Sequence, residues 1–408
     1  MFFKRQLLEI YNGGLMALYR KLFYIIGIPI VIIIRIISPF FVIRFGELIS
    51  HRIGHFAGNT EIYLCENKAG INTPNKPFFD IFFLNDNLVC NSYMVKMWAR
   101  VLNIWPSFII KPIVKSNQIL PGGGKHIITI SQYDRDIHNI LDNSLSSLKF
   151  TLGEELNGIE KLKSFGLKKD DKFVCLLVRD AAYLPELSYH SYRDCSIDNY
   201  ILACEELTKR GYYVFRMGVK VANKISSSNP KIIDYATNGM RSEFMDIYLG
   251  AKCEFCVSTG SGWDCIPLIF RRPIVYTSIL PIGYMETFRK LSLSITKHHI
   301  DIKSLEELSL SEIFARGVGF CMNSQDYEAN DILLLENSPE EILDLIIEFD
   351  DRSKNIWKES ETDILLQNKF WNIFPSNSLD NEKKNRLHGE IKAKFGSDFL
   401  RKNPTFIN

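Results

Sequence analysis

The stretch CEFCVSTGSGWD, Cys253–Asp264, places a short apolar run directly before a cluster of five small residues. These residues are Ser258, Thr259, Gly260, Ser261 and Gly262. A second apolar run begins at Pro267, so the pattern predicts a buried strand, a tight turn and the first turn of a helix. Because backbone N–H groups at a helix N-terminus stabilise an anion, the turn is a candidate anion site. A strand-to-helix turn without any ligand would give the same pattern.

The residues around this stretch alternate between apolar runs and helical patterns. We predict strands at 173–178, 212–216, 232–235 and 273–277, and helices at 197–210 and 243–249. Such alternation is typical of an α/β protein with a doubly wound parallel sheet. Ligands bind such sheets at the carboxyl ends of the strands, which is where Arg179, Arg216 and the Ser258–Gly262 turn are placed.

The two arginines and the small-residue turn together suit a diphosphate. A guanidinium forms paired, charge-assisted hydrogen bonds with phosphate oxygens. Each arginine could instead pair with a neighbouring carboxylate, as Arg179 could with Asp180. Three anion-binding features on one sheet edge favour the diphosphate.

The loops beside this edge contain further polar candidates. Tyr192 and Arg193 lie between a strand and a helix, where they could cover a base or a sugar or simply form surface. Arg241 and Asp246 form either a polar cluster or a salt bridge within a helix. Asp264 is either a sugar contact or a charge that complements the helix dipole.

The first half of the chain offers a second candidate site. We predict strands at 41–49, 62–64 and 78–84, and the segment RIGHFAGNTE, residues 52–61, lies between the first two. Glycine beside polar residues at a strand end is where α/β sheets place ligands, which makes His55 and Glu61 candidates. His55 could equally be a core residue. A helix at 153–165, closed by Gly166 and followed by a charged linker, marks the domain boundary.

Residues 1–40 are apolar and basic. An uncharged apolar run from Leu22 to Ile34 is followed by Arg35, which is costly inside lipid. We therefore predict a helix that lies in the membrane interface with its basic residues toward anionic headgroups. A membrane span and a buried first helix of the next domain are the alternatives. The net charge of +2 gives no indication of a nucleic-acid partner.

The composition argues against disulfides and against a structural metal. Nine scattered cysteines indicate free thiols in a reducing compartment. Cys253 and Cys256 form a CxxC without a second pair, so we predict no zinc site. Asp134 and Asp136 could hold a divalent cation, although a solvated loop gives the same triplet. We predict no metal site in the chain.

The end of the chain is predicted to be helical. Ser338, Pro339 and Glu341 form a capping box that predicts a helix ending near Phe349. Residues 351–400 are polar with aromatic anchors and are predicted to form further helices.

Four blocks of the sequence resemble a family of bacterial proteins assigned as glycosyltransferases and linked to surface polysaccharide synthesis. The blocks are KFVCLLVRDAAYL, SYRDCSIDNYILACEELTKRGYYVFRMG, RSEFMDIYLGAKCEFCVSTGSGWD and RIGHFAGNTE. The resemblance covers most of residues 40–350. The arrangement is also similar to the GT-B architecture, in which two Rossmann-like domains face a cleft. The resemblance implies that the C-terminal domain binds a nucleotide sugar, that the N-terminal domain binds the acceptor, and that C-terminal helices cross back onto the first domain.

On this basis the chain is expected to contain four segments. They are a membrane-associating helical segment (1–40), a Rossmann-like acceptor domain (41–166), a Rossmann-like nucleotide-sugar domain (167–350) and C-terminal crossover helices (351–408). The candidate donor-site residues are Arg179, Tyr192, Arg193, Arg216, Gly218, Arg241, Ser258, Thr259, Gly260, Ser261, Gly262 and Asp264.

The resemblance implies a metal-independent transferase of hexosyltransferase type on the cytoplasmic face of the inner membrane, peripheral or monotopic. A nucleotide-diphosphate sugar is the donor, no further cofactor is required, and the acceptor is a surface glycan or a lipid-linked hydroxyl at the inner leaflet. Arg179, Arg216 and the backbone N–H groups at Gly260 to Gly262 would stabilise the leaving diphosphate, and His55 or Glu61 would act as general base. Two other classes remain open, a sugar-nucleotide epimerase or hydrolase and a non-catalytic membrane scaffold.

Overall fold

The computed structural model describes residues 27–85, 88–182, 185–380 and 385–408. The chain divides into two compact units, residues 1–134 and 135–408. The sequence predicts a boundary near residue 166, whereas residues 135–166 pack within the second unit. The Phe150 ring stacks on Phe270 with centroids 5.5 Å apart, and Lys252 Nζ lies 2.6 Å from Glu155 Oε1. The helix that closes at Gly166 therefore packs on the second unit.

The first unit is built around a small parallel sheet. Its elements are α1 (Gly27–Ile37), β1 (Val42–Leu48), α2 (Ile53–Lys68), β2 (Phe78–Leu84), α3 (Ser92–Trp98), α4 (Ser107–Ile119) and β3 (Ile127–Ile128). The strand order is β2–β1–β3, and the predicted strands at 41–49 and 78–84 are confirmed. One core joins α1 and α4 to the sheet, and it contains Val31, Ile34, Phe45, Ile81 and Ile110.

Helix α2 occupies the place of the strand that the sequence predicts at 62–64. The helix continues through Gly54 and Gly58, although glycine in a sequence usually indicates the end of a helix or strand. Ten of its 16 residues are buried, including the polar Asn59, Thr60 and Glu61. A helix buried on most sides lacks the apolar period that identifies an amphipathic helix. The strand prediction was wrong for this reason.

The second unit contains the larger sheet. Its strands are β4 (Lys172–Leu177), β5 (Tyr212–Arg216), β6 (Ile232–Ile233), β7 (Cys256–Ser258), β8 (Ile274–Ile279), β9 (Ser292–Thr296), β10 (His298–Asp301), β11 (Ile332–Leu335) and β12 (Lys394–Phe395). Its helices are α5 (Leu152–Ser164), α6 (Ile201–Lys209), α7 (Glu243–Lys252), α8 (Cys265–Ile269), α9 (Leu310–Ala315), α10 (Ser324–Ala329), α11 (Pro339–Ser353), α12 (Glu361–Ile373) and α13 (Ser397–Lys402). Seven strands form one parallel sheet in the order β12–β9–β8–β7–β4–β5–β6, and β10 and β11 form a separate antiparallel pair. The α/β prediction of a doubly wound parallel sheet is confirmed for this unit.

The strand order places a topological switch point between β4 and β7. From β4 the chain moves to β5 and β6 on one side and then returns to β7, β8 and β9 on the other. Doubly wound sheets bind ligands at such a point, beyond the carboxyl ends of the strands. Arg179 follows β4 and the Ser258–Gly262 turn begins at the end of β7, so two of the candidate features flank the switch point.

The predicted capping box at the start of α11 is confirmed. Ser338 Oγ accepts a hydrogen bond from the Glu341 backbone N–H at 3.2 Å, and the Glu341 carboxylate accepts from the Ser338 N–H at 2.9 Å. Pro339 occupies the first helical position, where its missing N–H leaves no helical bond unmade.

The C-terminal segment is partly helical and packs within the second unit. Strand β12 extends the sheet beside β9, and Phe395 stacks on Phe370 of α12 with centroids 4.2 Å apart. Gln367 Nε2 also donates to the Phe395 carbonyl at 2.5 Å. The packing of this segment onto the first unit, which the resemblance implies, stays a prediction.

Residues 1–26, which form most of the predicted membrane-associating segment, lie outside the described residues. Within the described ranges, no helix has both the length and the apolar character needed to cross a membrane. The described part of the segment, α1, buries Val31 and Ile34 in the core of the first unit. One side of α1 therefore behaves as a buried helix, which was one of the sequence alternatives.

Candidate functional site

The ends of β4 and β7 are joined directly at the switch point. Leu177 on β4 pairs with Ser258 on β7 in the sheet register. Beyond the strands, the Arg179 N–H donates to Thr259 Oγ1 at 2.9 Å, and the Thr259 N–H donates to the Leu177 carbonyl at 3.1 Å. The segment after β4 and the small-residue turn therefore form one continuous edge.

Two arginine side chains at this edge retain unused hydrogen-bonding capacity. The Nε atoms of Arg179 and Arg193 are buried and have no hydrogen-bond partner among the described residues. Arg179 Nε lies 3.1 Å from Asp194 Oδ1, which is an ion-pair distance, but that oxygen also lacks a hydrogen-bond partner in the described part of the chain. Buried polar atoms are nearly always paired, so such a group of exceptions calls for a ligand, an ion or ordered water. We call Arg179, Arg193 and Asp194 the arginine cluster.

The charges of the arginine cluster do not fully compensate one another. Burial, followed by the positive charge of Arg193, lowers the pKa of Arg179. Burial also raises the pKa of Asp194. Both shifts disfavour the ionised forms, so the Arg179–Asp194 pair does not offset the cost of its own burial. An additional anion would stabilise both guanidiniums at once.

Tyr192 packs inside the second unit. Its ring centroid lies 5.4 Å from that of Tyr327, and its backbone N–H donates to Ser324 Oγ at 3.0 Å. The Arg193 guanidinium carbon lies 5.5 Å from the centre of the Tyr192 ring, which is a cation–π distance. Tyr192 therefore orients Arg193, and its buried ring is not placed to cover a base or a sugar.

The small-residue turn is stabilised by its own carboxylate. Asp264 Oδ2 accepts from Ser258 Oγ at 2.8 Å and from the Ser261 N–H at 2.9 Å. The Gly260 N–H donates to Ser258 Oγ at 3.0 Å. Burial raises the pKa of Asp264 to about 6, against the effect of these hydrogen bonds. Two of the N–H groups expected to hold a diphosphate are therefore engaged within the turn, while Gly262 at its far end is exposed.

Gly260→Ala is expected to lower the free energy of unfolding by about 1–2 kcal/mol, because Gly260 has a left-handed backbone. Its φ is +76°, and an added Cβ would lie 2.7 Å from Ile279 Cδ1. Urea denaturation measures the change. Gly153→Ala is the control, since no atom lies within 4 Å of its added Cβ in helix α5, and alanine there should be neutral or stabilising. Equal stability of Gly260→Ala and the parent would contradict the argument.

Arg216 and Arg241 make structural contacts through their terminal nitrogens, whereas their Nε atoms, like those of Arg179 and Arg193, are buried without a hydrogen-bond partner among the described residues. The Arg216 side chain is 1% exposed, its Nη1 lies 3.2 Å from Asp234 Oδ1, and its Nη2 donates to the Asn223 carbonyl at 3.0 Å. Gly218 follows, where an added Cβ would lie 2.6 Å from a Val221 methyl carbon. These contacts fix the chain between β5 and β6.

Arg241 pairs with Asp246 at the start of α7, at 2.5 Å. Asp246 Oδ1 also accepts from the Tyr235 hydroxyl at 3.0 Å. The pair forms a salt bridge, but Arg241 precedes the N-cap Ser242, so the bridge does not lie within the helix as the sequence alternative had it. It connects the α7 N-terminus to the residues after β6.

Lys297 is a polar residue of this sheet edge that the sequence analysis missed. It follows β9 directly, its side chain is buried, and its Nζ donates to the Asp194 carbonyl at 2.6 Å. A strand assignment for SLSIT, residues 292–296, would have placed Lys297 at the same carboxyl edge as Arg179. The weakly apolar serine and threonine positions concealed that strand.

Three histidines of the second unit have perturbed proton affinity. Burial lowers the pKa of His299 to about 4, and burial, followed by the charge of Arg135, lowers that of His388 to about 3. Burial opposes the charge of His298, but hydrogen bonds to Glu307 and Glu341 outweigh it and raise the pKa to about 10. None of these three has a pKa near 7, which a general base requires.

The stability of the protein is expected to fall as the pH rises from about 7 to 10, because His298 then loses its proton. Its folded pKa of about 10 exceeds its ordinary value of 6.5, so the stabilisation is complete below 6.5 and disappears as the pH passes 10. Its nitrogens lie 2.6 Å from Glu307 Oε1 and 3.0 Å from Glu341 Oε2. Urea unfolding across this range measures the slope. His298→Gln should flatten the slope, and an unchanged slope in that variant would refute this assignment.

The structure does not bring His55 and Glu61 together. His55 is half-buried in the first turn of α2, with Nδ1 3.2 Å from Asn59 Oδ1. Glu61 is fully buried, and its Oε1 accepts from Cys65 Sγ at 3.6 Å. Six residues correspond to about 600° of helical rotation, so the two side chains leave α2 on different sides.

The remaining metal candidates form other contacts. Asp136 accepts hydrogen bonds from the backbone N–H groups of Ile140 and Leu141 at 2.9 and 2.8 Å. In residues 27–85, 88–182, 185–380 and 385–408, no group of three or more His, Cys, Asp or Glu is arranged to hold a metal ion. All nine cysteines are free thiols, as the sequence predicts, including the buried Cys253 and Cys256.

Several solved structures of glycosyltransferases are similar to this chain. One is the glycosyl transferase family 9 protein from Veillonella parvula DSM 2008, at 11% identity and a TM-score of 0.40, covering 75% of this chain and 97% of that one. Another is ADP-heptose LPS heptosyltransferase II from E. coli, at 13% identity and a TM-score of 0.37, covering 62% and 90%. A third is E. coli heptosyltransferase WaaC with ADP-2-deoxy-2-fluoro heptose, at 13% identity and a TM-score of 0.28, covering 62% and 93%. No family model and no curated protein matches the sequence.

Proposed function

We propose that this protein is a glycosyltransferase that moves a sugar from a nucleotide-diphosphate donor to a hydroxyl of a glycan or lipid-linked acceptor. The observation that carries the proposal is the arginine cluster at the switch point of a doubly wound sheet. Arg179 and Arg193 each hold a buried nitrogen without a hydrogen-bond partner in the described residues. A diphosphate is the group whose charge and spacing of oxygens suit two adjacent guanidiniums.

In this proposal the arginine cluster stabilises the leaving diphosphate. Cleavage of the sugar–phosphate bond leaves a nucleoside diphosphate, whose charge on the departing oxygen grows in the transition state. Arg179 and Arg193 contact that group, and the exposed end of the turn at Gly262 lies beside it. Lys297 adds positive charge behind Asp194. These side chains supply the stabilisation without a metal ion.

The other candidate residues of the second unit act indirectly in this proposal. Asp264 and Ser258 fix the turn, Tyr192 orients Arg193, and Arg216, Gly218 and Arg241 hold neighbouring loops. Hydrogen bonds to Asp264 also occupy part of the turn. The donor site therefore depends on a few contacting residues, with the rest in supporting positions.

The acceptor hydroxyl needs a base if the reaction inverts the sugar carbon. We propose His55 for this role, because its imidazole is half-buried rather than sealed in the core. Glu61 was the other candidate, but its carboxyl is fully buried and does not reach a solvent-borne acceptor. We place the reaction at the cytoplasmic face of the inner membrane, where lipid-linked acceptors are available.

A thermal-shift screen of UDP-, GDP-, ADP- and CMP-sugars tests the proposal on the intact chain. A ligand that binds only the folded state raises the melting temperature by mass action. We expect one nucleotide class to bind, and the nucleoside diphosphate alone to give most of the shift. No shift with any nucleotide would sink the proposal. Binding together with sugar release in the absence of acceptor would favour the hydrolase alternative, and binding without turnover on any acceptor would favour a scaffold.

A further inference from the structure

Helix α1 is apolar on the side that faces away from the core. Val31 and Ile34 face inward, whereas Ile33 and Ile36 on the opposite side are 60% and 69% exposed. A surface helix of a soluble unit normally places polar residues there. An exposed apolar face of this kind marks an interaction surface.

The neighbouring helix α4 continues the apolar surface. The two helices are in close contact, because a Cβ added to Gly27 would lie 2.6 Å from the Pro112 carbonyl oxygen. Phe108, one turn before Pro112, is 67% exposed, and Phe40, just after α1, is 81% exposed. We call Ile32, Ile33, Ile36, Phe40, Phe108 and Ile109 the isoleucine face.

The segments that carry the isoleucine face are purely basic. Residues 27–46 and 88–133 contain no Asp or Glu. Lys115 and Lys125 are exposed, and Lys111 is half-buried on α4. Residues 1–26, which lead into α1, carry four basic residues against one acidic residue, namely Lys4, Arg5, Arg20 and Lys21 against Glu9. The charge around the isoleucine face is therefore complementary to an anionic surface.

We propose that the isoleucine face docks on an anionic lipid bilayer. The apolar side chains enter the boundary between headgroups and acyl chains, and the lysines of α4 and the following loop contact lipid phosphates. An apolar face on segments whose charge is almost entirely positive suits such a bilayer better than a protein partner, whose surface carries both signs of charge. The inference rests on the proposed function, since an enzyme that uses a lipid-linked acceptor meets it at this surface, but the docking is measurable independently.

Flotation of the full chain with lipid vesicles tests the docking. The parent is compared with the Ile33→Glu/Ile36→Glu double variant on phosphatidylcholine vesicles with and without phosphatidylglycerol. We expect binding to the anionic vesicles and weak binding to the neutral ones. The double variant should lose at least about tenfold in binding, because it replaces two exposed aliphatic side chains that would enter the bilayer with carboxylates that the anionic surface repels. Leu365→Glu is the matched control, because Leu365 is 57% exposed on α12 of the second unit. That variant should bind like the parent.

The charge contribution is tested separately with Lys111→Ser/Lys115→Ser. Each lysine near an anionic surface contributes about 1 kcal/mol, so loss of the pair should weaken anionic-vesicle binding about thirtyfold. This variant leaves the apolar side chains intact, which keeps the proposal testable if the double glutamate variant unfolds. Thermal melting of each variant confirms that it is folded.

Parent protein that ignores anionic vesicles, or a folded double glutamate variant that binds like the parent, overturns the proposal. A parent dimer that the glutamate pair converts to a monomer, with vesicle binding unchanged, would show that a second copy covers the face instead. Nucleotide binding measured without vesicles separates this outcome from the donor-site proposal. If docking fails while nucleotide binding is intact, only the proposal for the isoleucine face is refuted. If nucleotide binding fails while docking is intact, only the proposal for the arginine cluster is refuted.

Discussion

Arg179→Met is expected to lower the affinity for a nucleoside diphosphate about ten- to a hundredfold. A hydrogen bond to a charged group contributes about 1.5–3 kcal/mol, and each 1.4 kcal/mol is about a factor of ten in affinity. The Arg179 guanidinium has little other bonding in the described residues, since its one ion-pair contact is Asp194 at 3.1 Å. Isothermal calorimetry with the nucleotide selected by the thermal-shift screen measures the loss.

The control for this experiment is Arg316→Met. Arg316 pairs with Asp301 at 2.5 Å, at the start of the segment between β10 and β11, and is more exposed than Arg179. The Arg316→Met variant removes the same type of side chain at a position away from the switch point, so its nucleotide affinity should equal that of the parent. Arg193→Met should resemble Arg179→Met, and the double variant should lose less than the sum, because both residues bind one ligand. Parent-like affinity in Arg179→Met would remove the arginine cluster from the donor site.

Arg216→Met is expected to lower the free energy of unfolding by about 3 kcal/mol, because it breaks a buried ion pair and leaves one partner uncompensated. Arg216 is buried against Asp234 at 3.2 Å, while Asp234 Oδ2 accepts from the Thr237 hydroxyl at 2.7 Å. Urea denaturation measures the loss.

Arg179→Met serves as the control for Arg216→Met. It is the same substitution after the neighbouring strand β4, but the Arg179 guanidinium is poorly paired, so its removal should leave the stability close to that of the parent. The two substitutions are therefore expected to have different effects. Arg179→Met should weaken nucleotide binding, and Arg216→Met should lower the stability of the fold. A stable Arg216→Met protein that fails to bind nucleotide would show instead that Arg216 contacts the donor.

The fold of the second unit could be predicted because its strands are continuous apolar runs separated by capped helices. The runs predicted at 173–178 and 212–216 correspond to β4 (Lys172–Leu177) and β5 (Tyr212–Arg216), which lie inside the sheet and are largely buried. The periodic signal fails where polar residues are buried. Helix α2 hides Asn59 and Glu61 in the core, and β9 alternates serine with leucine and isoleucine. In both places the sequence lacks the pattern on which secondary structure prediction depends.

The position of the candidate site could also be predicted from the sequence, but the interaction that each side chain makes could not. Sequence places Arg179 and Arg216 at the ends of adjacent strands without showing which one has a buried partner. Asp234, which forms the ion pair with Arg216, lies 18 residues away along the chain. For Asp264 the sequence leaves a sugar contact and a charge at the helix dipole open, whereas its carboxylate accepts a hydrogen bond from the Ser261 N–H within the turn. Such pairing depends on tertiary contacts, which neither spacing nor composition specifies.

The most direct test of the account is a crystal structure of the full chain with the nucleoside diphosphate that binds in the thermal-shift screen. We predict that the diphosphate lies at the switch point between β4 and β7, within hydrogen-bond distance of the Arg179 and Arg193 guanidiniums, with Arg216 still paired to Asp234. A diphosphate bound elsewhere, or at the switch point but beyond the reach of both Arg179 and Arg193, would contradict the central claim.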